Sequence, residues 1–345
     1  MRIGIVGAGA IGGWLGVSLA AAGHEVSALA RGATLAALQE RPWTLLSEDR
    51  NLAANVKASA DATALGPQDV IFLTVKGPAL PSLASAIATM IGPDTLVVPA
   101  MNGVPWWYLR DAAQPDLRRP LATVDPGGLL SRSIPFEQVV GAVVYTSAAT
   151  LQPGEVMLKT GNRLMLGEPS GEESQRVTRL VEALQAAGIE AAQTGRIQYE
   201  IWYKLWGNMT INPISALTGA TSDRILDDPL VAEFVLAIMA EAKQVGRGIG
   251  IDIEERGEDR NLVTRSWGAF KTSMLQDTEA GRSLELDQIV AAPREIAIRL
   301  GIVTPALDAL LGLTRLFARQ RGLYPSAANA ADAGTAAPPS TTGAA

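Results

Sequence analysis

The chain has 345 residues, a formal net charge of −6, no cysteine and a single histidine, His24. The absence of cysteine excludes disulfides and thiolate chemistry, and a histidine metal centre or a Ser-His-Asp triad would depend on one imidazole. The acidic balance disfavours nucleic acid and anionic membranes as main partners. No apolar run reaches the ~18 residues of a membrane span, so we expect a cytoplasmic protein. The length predicts two domains.

A glycine-rich turn follows the first apolar run of the chain. Residues 2–6 predict a buried strand, a helical pattern then ends at Gly23, and residues 24–30 predict a second strand. The turn consists of Gly7, Ala8, Gly9, Ala10, Ile11 and Gly12. In a G-x-G-x-x-G motif the first glycine makes the tight turn, the second admits a pyrophosphate, and the third lets helix and strand pack closely. The motif predicts an α/β fold with a Rossmann-like, doubly wound sheet that binds a dinucleotide on this turn.

The residue after the second strand discriminates between the two nicotinamide cofactors. A carboxylate there would accept hydrogen bonds from the ribose of NAD and would repel the 2'-phosphate of NADP. This chain has Arg31 instead. Because a guanidinium pairs with phosphate through two hydrogen bonds, Arg31 favours NADP(H); the alternative is a surface arginine without a ligand.

Two further predicted strands end in polar residues. Residues 69–75 predict a buried strand that is followed by Lys76, and residues 95–101 predict another that is followed by Asn102. Ligands of an open parallel sheet bind outside the carboxyl ends of its strands. We therefore expect Lys76 and Asn102 to lie on the same rim as the glycine turn and to contribute to the cofactor site.

The pattern changes from strands to helices near residue 194. Before that point, strands are predicted at 121–124, 139–146, 155–159, 163–167 and 189–192, with a helix at 172–187. After it, helices are predicted at 197–216, 229–249, 257–275, 281–300 and 304–321. Small and polar residues at the end predict disorder. The expected organisation is a dinucleotide-binding domain over 1–193, an all-helical substrate domain over 194–324 and a disordered tail over 325–345.

The first helix of the second domain is apolar but carries a polar stripe. Lys204, Asn208 and Asn212 are spaced i, i+4 and i+8, which places them on one helix face. One interpretation is a solvated stripe. The other is a buried polar site, which asparagine favours because it is a poor helix former that needs a hydrogen-bond partner. We also expect Pro213, which lacks an N–H, to bend or end the helix near Asn212.

Two later segments combine hydroxyls and carboxylates. Residues 272–277 place Ser273 before an apolar pair, and Ser283 precedes Glu285 and Asp287. In one interpretation Ser283 caps a helix whose first turn carries the two carboxylates. In the other, these side chains belong to a ligand site.

Taken together, the motifs resemble those of the ketopantoate reductases (2-dehydropantoate 2-reductases) over nearly the whole chain. The resemblance rests on the N-terminal glycine turn, Arg31, Val75-Lys76, Asn102-Gly103, Lys204-Leu205-x-x-Asn208-x-x-x-Asn212-Pro213, Ser273 to Asp277 and Glu285-x-Asp287. It implies a dinucleotide-binding domain followed by a helical domain, with the substrate in the cleft between them.

The resemblance also implies roles for individual residues. Lys204 would be the catalytic acid, Glu285 would bind and orient the substrate, and Lys76 would lie near the nicotinamide. The polar groups of the substrate would be bound by Asn102, Asn208, Asn212 and Ser273. Hydride transfer to a carbonyl creates an alkoxide that needs a cation and a proton. A lysine whose pKa is lowered by burial and held up by Glu285 can supply both without a metal ion.

The chain departs from the family pattern in two places. Val104-Pro105-Trp106-Trp107-Tyr108 is bulkier than expected, and Val290-Ala291 replaces an Asn-Gly pair. The aromatic cluster either packs between the domains or reshapes the pocket for a different 2-oxo acid.

Three functional hypotheses follow. The first is NADPH-dependent reduction of ketopantoate to D-pantoate for pantothenate and coenzyme A synthesis. The second keeps the reaction but changes the substrate to another branched or aromatic 2-oxo acid. The third is a cofactor-binding sensor that has lost catalysis. The expected partner is a small 2-oxo acid, and a homodimer is the assembly considered.

Overall fold

The computed structural model describes residues 1–325, and its strands form two sheets. The strands are β1 (Arg2–Val6), β2 (Glu25–Leu29), β3 (Trp43–Leu46), β4 (Asn51–Ala54), β5 (Lys57–Ser59), β6 (Gln68–Leu73), β7 (Ile91–Pro99), β8 (Gly141–Gln152), β9 (Glu155–Gly167) and β10 (Glu190–Gln193). The helices are α1 (Ala10–Ala21), α2 (Gly32–Glu40), α3 (Ala84–Thr89), α4 (Leu129–Ser133), α5 (Gln175–Ala186), α6 (Ile197–Thr218), α7 (Ser222–Asp227), α8 (Pro229–Gly248), α9 (Gly257–Ser266), α10 (Ser273–Glu279), α11 (Ala292–Arg299) and α12 (Pro305–Gln320).

The first sheet is parallel throughout and has the strand order β5-β2-β1-β6-β7. Its central strands β1 and β6 are buried along most of their length, as expected for a sheet covered on both faces. The strand order reverses between β1 and β6, so the loops that follow these two strands diverge and leave a crevice. The predicted Rossmann-like, doubly wound architecture is confirmed.

A second sheet packs behind the first, and the sequence did not indicate it as a separate layer. Its long strand β9 pairs with β8 in antiparallel orientation and with β3 and β10 in parallel orientation, while β4 pairs with β3. Helix α1 contacts strands of both sheets, and the fully buried Trp14 and Trp43 lie in their shared core. Residues 155–159 and 163–167, predicted as two strands, are parts of β9, and residues 121–124, predicted as a strand, form a turn.

The helical part of the chain is organised around α6. This helix contacts α8, α10 and α12, and its tryptophan N–H groups reach α8: Trp202 donates to the Ala242 carbonyl at 3.2 Å and Trp206 to that of Met239 at 2.9 Å. Of the two effects predicted for Pro213, the end of the helix near Asn212 is wrong, because α6 continues to Thr218. Packing on several sides compensates for the one helical hydrogen bond that proline removes.

Two predicted helices are shorter than expected. The helix expected at 257–275 is divided into α9 and α10 because Gly268 adopts a φ of +67° and the Thr272 hydroxyl caps α10 by accepting from the Leu275 N–H at 3.1 Å. The helix expected from 281 starts later, with a π-helical stretch at Asp287–Ala291 that leads into α11. Ser283 is therefore not its N-cap.

Between residues 1 and 325, no helix combines the length and the apolar character needed to cross a membrane. The strands of this part of the chain end at Gln193, and α6 begins at Ile197. The predicted disordered tail lies, from residue 326 onward, outside the described residues.

Candidate active site

The turn between β1 and α1 has the geometry of a phosphate-binding loop. Gly7 has a φ of +104°, which favours glycine. Gly9 directly precedes α1, and a Cβ at this position would meet no protein atom within 4 Å. A Cβ on Gly12 would overlap the Gly7 carbonyl oxygen, to which the Thr74 hydroxyl donates at 2.7 Å. The open space at Gly9 and the close packing at Gly12 fit the pyrophosphate of a dinucleotide.

Arg31 lies two residues beyond the end of β2, on the rim that also carries the glycine turn. Its side chain is exposed, and it makes no hydrogen bond or salt bridge to any residue in the range 1–325. The guanidinium is therefore available to a phosphate group at this rim.

The segment after β6 is held against the helical part of the chain. Lys76 Nζ forms a salt bridge with Asp277 Oδ2 at 2.6 Å and donates to the Ser283 carbonyl at 3.0 Å. The neighbouring Gly77 N–H donates to Glu285 Oε1 at 3.2 Å. These contacts place the rim of the first sheet beside Glu285 and close one side of a cleft.

Lys204 projects from α6 into this cleft and is partly buried. Its Nζ donates to Asn102 Oδ1 at 2.9 Å and to the Val144 carbonyl at 2.6 Å, and it lies 5.8 Å from the ring centroid of Tyr145. Asn102 follows β7 and Val144 belongs to β8, so both sheets and the main helix meet at one ammonium group. A cation held in this way can stabilise a developing alkoxide and protonate it.

The charges of the two ionisable site residues depend on each other. Burial lowers the pKa of Lys204 to about 8, and the charge of Glu285 opposes this shift. Burial raises the pKa of Glu285, whereas the Gly77 N–H, the charge of Lys76 and a hydrogen bond with Asn102 hold it down. A lysine with a pKa of about 8 is mostly protonated at neutral pH and still releases its proton readily.

Sequence comparison identifies the family. The profile described as "Ketopantoate reductase PanE/ApbA" matches residues 3–171, and the one described as "Ketopantoate reductase PanE/ApbA C terminal" matches residues 196–318. A 2-dehydropantoate 2-reductase of Mesorhizobium japonicum is 42% identical over 325 residues, which cover 94% of this chain and 100% of that protein. The chain belongs to the ketopantoate reductase family. It is accordingly an oxidoreductase.

Solved structures of the family have the same architecture. A candidate ketopantoate reductase from Ralstonia solanacearum MolK2 has 52% sequence identity and a TM-score of 0.89, with 94% of this chain and 99% of that chain covered. A PanE/ApbA family ketopantoate reductase from Ralstonia eutropha JMP134 has 25% identity and a TM-score of 0.80, with coverage of 93% and 100%. D-mandelate dehydrogenase, solved with NADH and anilino(oxo)acetate, shares the fold at 21% identity and a TM-score of 0.80.

The remaining residues predicted by resemblance to the ketopantoate reductases occupy different environments. Asn208 lines the same small cavity as Lys204 and Asn102. Asn212 is buried, and its amide makes no hydrogen bond within the described part of the chain. Ser273 is exposed at the start of α10 and makes no hydrogen bond to the other site residues described here. The structure thus places the Asn208 amide at the cavity of Lys204, buries Asn212 outside that cavity's lining and leaves Ser273 at the surface.

Gln288 was missed by sequence reasoning. It is buried in the π-helical stretch and separates the two rim loops, because Cβ atoms on Gly77 or Gly103 would overlap it. Its carbonyl accepts from the Val104 N–H at 2.8 Å, and its side-chain Oε1 is buried without a partner. The available signal was its place three residues after Glu285 in the helix predicted at 281–300, where i and i+3 would share a face.

The aromatic cluster after Asn102 packs away from the Lys204 cavity. Trp106, Trp107 and Tyr108 are all buried. The Tyr108 hydroxyl donates to the Gln198 carbonyl at 2.7 Å, and its ring stacks on Trp202 at a centroid distance of 6.2 Å. Of the two interpretations of this departure from the family pattern, the structure supports packing between the sheet and α6.

Proposed function

We propose that this chain reduces 2-dehydropantoate (ketopantoate) to D-pantoate with NADPH, as a step of pantothenate biosynthesis. The observation that carries the proposal is the Lys204 ammonium, which is held by Asn102 Oδ1 and the Val144 carbonyl where the cofactor rim meets α6. The 42% identity to the 2-dehydropantoate 2-reductase of Mesorhizobium japonicum supports the choice of substrate.

Lys204 is the general acid of the proposed reaction. NADPH, held by the glycine turn and Arg31, would supply the hydride for the substrate's C2 carbonyl carbon. Two of the three N–H donors of Lys204 are used by Asn102 and Val144, which leaves the third for the carbonyl oxygen. As negative charge grows on that oxygen, the ammonium stabilises it and transfers a proton. The charge of Glu285 keeps Lys204 protonated before the reaction.

In the proposal, Glu285 also binds and orients the substrate. The proposed ligands of the substrate's other polar groups are Asn102, Asn208, Asn212 and Ser273.

The proposed cofactor site consists of the glycine turn at residues 7–12, Arg31, Lys76 and Asn102. Arg31 supports NADPH rather than NADH because its guanidinium is unpaired among the described residues and follows β2, the strand after which the ribose of a dinucleotide is recognised. We expect Arg31→Ala to raise the KM for NADPH at least about tenfold and that for NADH less than about twofold. Arg41→Ala, at the other end of α2, is the control and should change neither. If Arg31→Ala weakens the binding of NADPH and NADH equally, the assignment of NADPH as the cofactor is contradicted.

Steady-state loss of NADPH absorbance tests the substrate. The purified protein is assayed with ketopantoate, 2-oxoisovalerate and phenylpyruvate, and each reaction is repeated with NADH. We expect ketopantoate with NADPH to give the highest kcat/KM. Faster turnover of phenylpyruvate or 2-oxoisovalerate would establish the alternative, a reductase of another branched or aromatic 2-oxo acid. No turnover with any 2-oxo acid would favour the cofactor-binding sensor.

The role of Lys204 has its own test. Lys204→Ala should lower kcat at least about a hundredfold and leave the affinity for NADPH nearly unchanged, because the change removes the acid but not the cofactor rim. Lys271→Ala, at an exposed lysine paired with Glu279, is the matched control and should have wild-type kinetics. Full activity of Lys204→Ala would show that Lys204 is not the general acid of the reaction.

We infer further that residues 1–193 form the dinucleotide-binding domain and residues 194–324 the substrate domain. The end of β10 at Gln193 and the start of α6 at Ile197 support this division. The homodimer and the cytoplasmic location stay predictions, and light scattering of the purified protein tests the former.

A further inference from the structure

Arg260, in α9, brings a second cation to α6, beside Tyr203 and Gly207 and close in the helix to Lys204. A Cβ built on Gly207 would lie 3.4 Å from a terminal nitrogen, Nη2, of Arg260. Gly207 follows Lys204 by three residues, a spacing at which helix positions are neighbours with Cβ atoms ~5–6 Å apart. The guanidinium therefore lies against a position of α6 that neighbours Lys204.

Aromatic rings hold this guanidinium in place. Its central carbon lies 5.1 Å from the ring centroid of Tyr203 and 5.7 Å from that of Trp267. The Arg260 Nε is buried without a hydrogen-bond partner, and across residues 1–325 the side chain forms no salt bridge. A buried donor without a partner costs free energy, so the arrangement indicates a missing acceptor. The planar fork of a stacked guanidinium matches a carboxylate through two hydrogen bonds.

Two carboxylates of the same region, those of Glu255 and Glu200, have other partners. Glu255 accepts from the Tyr203 hydroxyl at 2.6 Å. Glu200 is engaged with Tyr145: burial and then the charge of Glu200 raise the pKa of Tyr145 to about 12, while the charge of Arg260 opposes the rise. The ring of Tyr145 also faces the Lys204 ammonium. Arg260 and Lys204 therefore both contribute positive charge to the surroundings of Tyr145.

We propose that Arg260 binds the carboxylate of the 2-oxo acid while Lys204 binds its carbonyl oxygen. This inference rests on the proposed function and deepens it. In a 2-oxo acid the carboxylate carbon is bonded directly to the carbonyl carbon, so the groups that recognise them must be close together. Arg260 would thus make the site selective for acids over neutral ketones of the same size.

The test compares ketopantoate with its neutral lactone, which keeps the reacting carbonyl but lacks the carboxylate. Arg260→Met should lower kcat/KM for ketopantoate at least about tenfold, mainly through KM, and change that for the lactone less than about threefold. The affinity for D-pantoate, measured by calorimetry, should fall in parallel. Arg256→Met, at an exposed arginine just before α9, is the control and should leave both substrates unchanged.

Arg260→Lys separates recognition from folding, since it retains the charge but not the planar fork. Thermal unfolding establishes that each variant is folded; if Arg260→Met is not, the same selective loss for ketopantoate is expected in Arg260→Lys. Equal losses for acid and lactone in a folded variant would overturn the role of Arg260. Wild-type protein that reduces neither compound nor any other 2-oxo acid would instead overturn the proposed function.

Discussion

Lys204 and Glu285 illustrate how the site sets the charge of single residues. Burial, opposed by the charge of Glu285, lowers the pKa of Lys204 to about 8. The Gly77 N–H and Lys76 in turn keep the pKa of Glu285 from rising further. The proton of the general acid therefore depends on groups from the sheet rim, from α6 and from the segment before α11.

This balance predicts a pH profile. Reduction requires protonated Lys204, so kcat/KM should fall by about tenfold per pH unit above about 8. Glu285→Gln removes the charge that raises the pKa of Lys204. The inflection in the plot of kcat/KM against pH should therefore move to lower pH. Glu279→Gln, at an exposed carboxylate paired with Lys271, is the control. An inflection at the same pH in Glu285→Gln and the wild type would contradict the coupling.

Among the elements, the rim loops and the π-helical stretch fit together with little space between them. Gly103 has a φ of +81°, and any side chain there would overlap the backbone of Gln288. The Val104 N–H donates to the same backbone. Since Asn102 directly precedes this contact, the fit between loop and helix positions the oxygen that holds Lys204.

Gly103→Ala tests the importance of this fit. The variant should lower the free energy of unfolding by about 3 kcal/mol, from backbone strain and overlap together, and should lower kcat at least about tenfold. Gly23→Ala has the same strain, with a φ of +89°, but no atom within 4 Å, and should cost only about 1 kcal/mol with full activity. Equal effects of the two variants in urea unfolding and turnover would show that the contact with Gln288 is unimportant.

At the scale of the whole molecule, an aromatic seam joins the sheet to the helical part. Trp107 and Tyr108 follow the rim of the first sheet, and Tyr108 stacks on Trp202 of α6. One continuous cluster of buried residues includes strands of the first sheet and most of the helical part. The cleft is therefore formed by two halves that share a core.

We expect substitutions in this aromatic seam to change the stability of the protein but not its preference between substrates. Tyr108→Ala should lower the free energy of unfolding by about 3 kcal/mol, while Tyr108→Phe, which loses only the hydrogen bond, should cost about 1 kcal/mol. The ratio of kcat/KM between ketopantoate and phenylpyruvate, measured where both variants are folded, should equal that of the wild type. A changed ratio would indicate that the aromatic segment at residues 104–108 shapes the substrate pocket.

Local patterns in the sequence determined the strand–turn–helix unit at residues 2–30, the polar stripe of α6 and the family itself, because each depends on residues near one another in the chain. Tertiary structure decided the features that depend on contacts between residues far apart in the chain. It carried α6 through Pro213 and buried Trp106, Trp107 and Tyr108 between the sheet and α6. It also brought Gln288 between two loops and Arg260 beside Gly207. Packing between distant segments outweighs local propensity at these positions, and no periodicity in the sequence records which segments will meet.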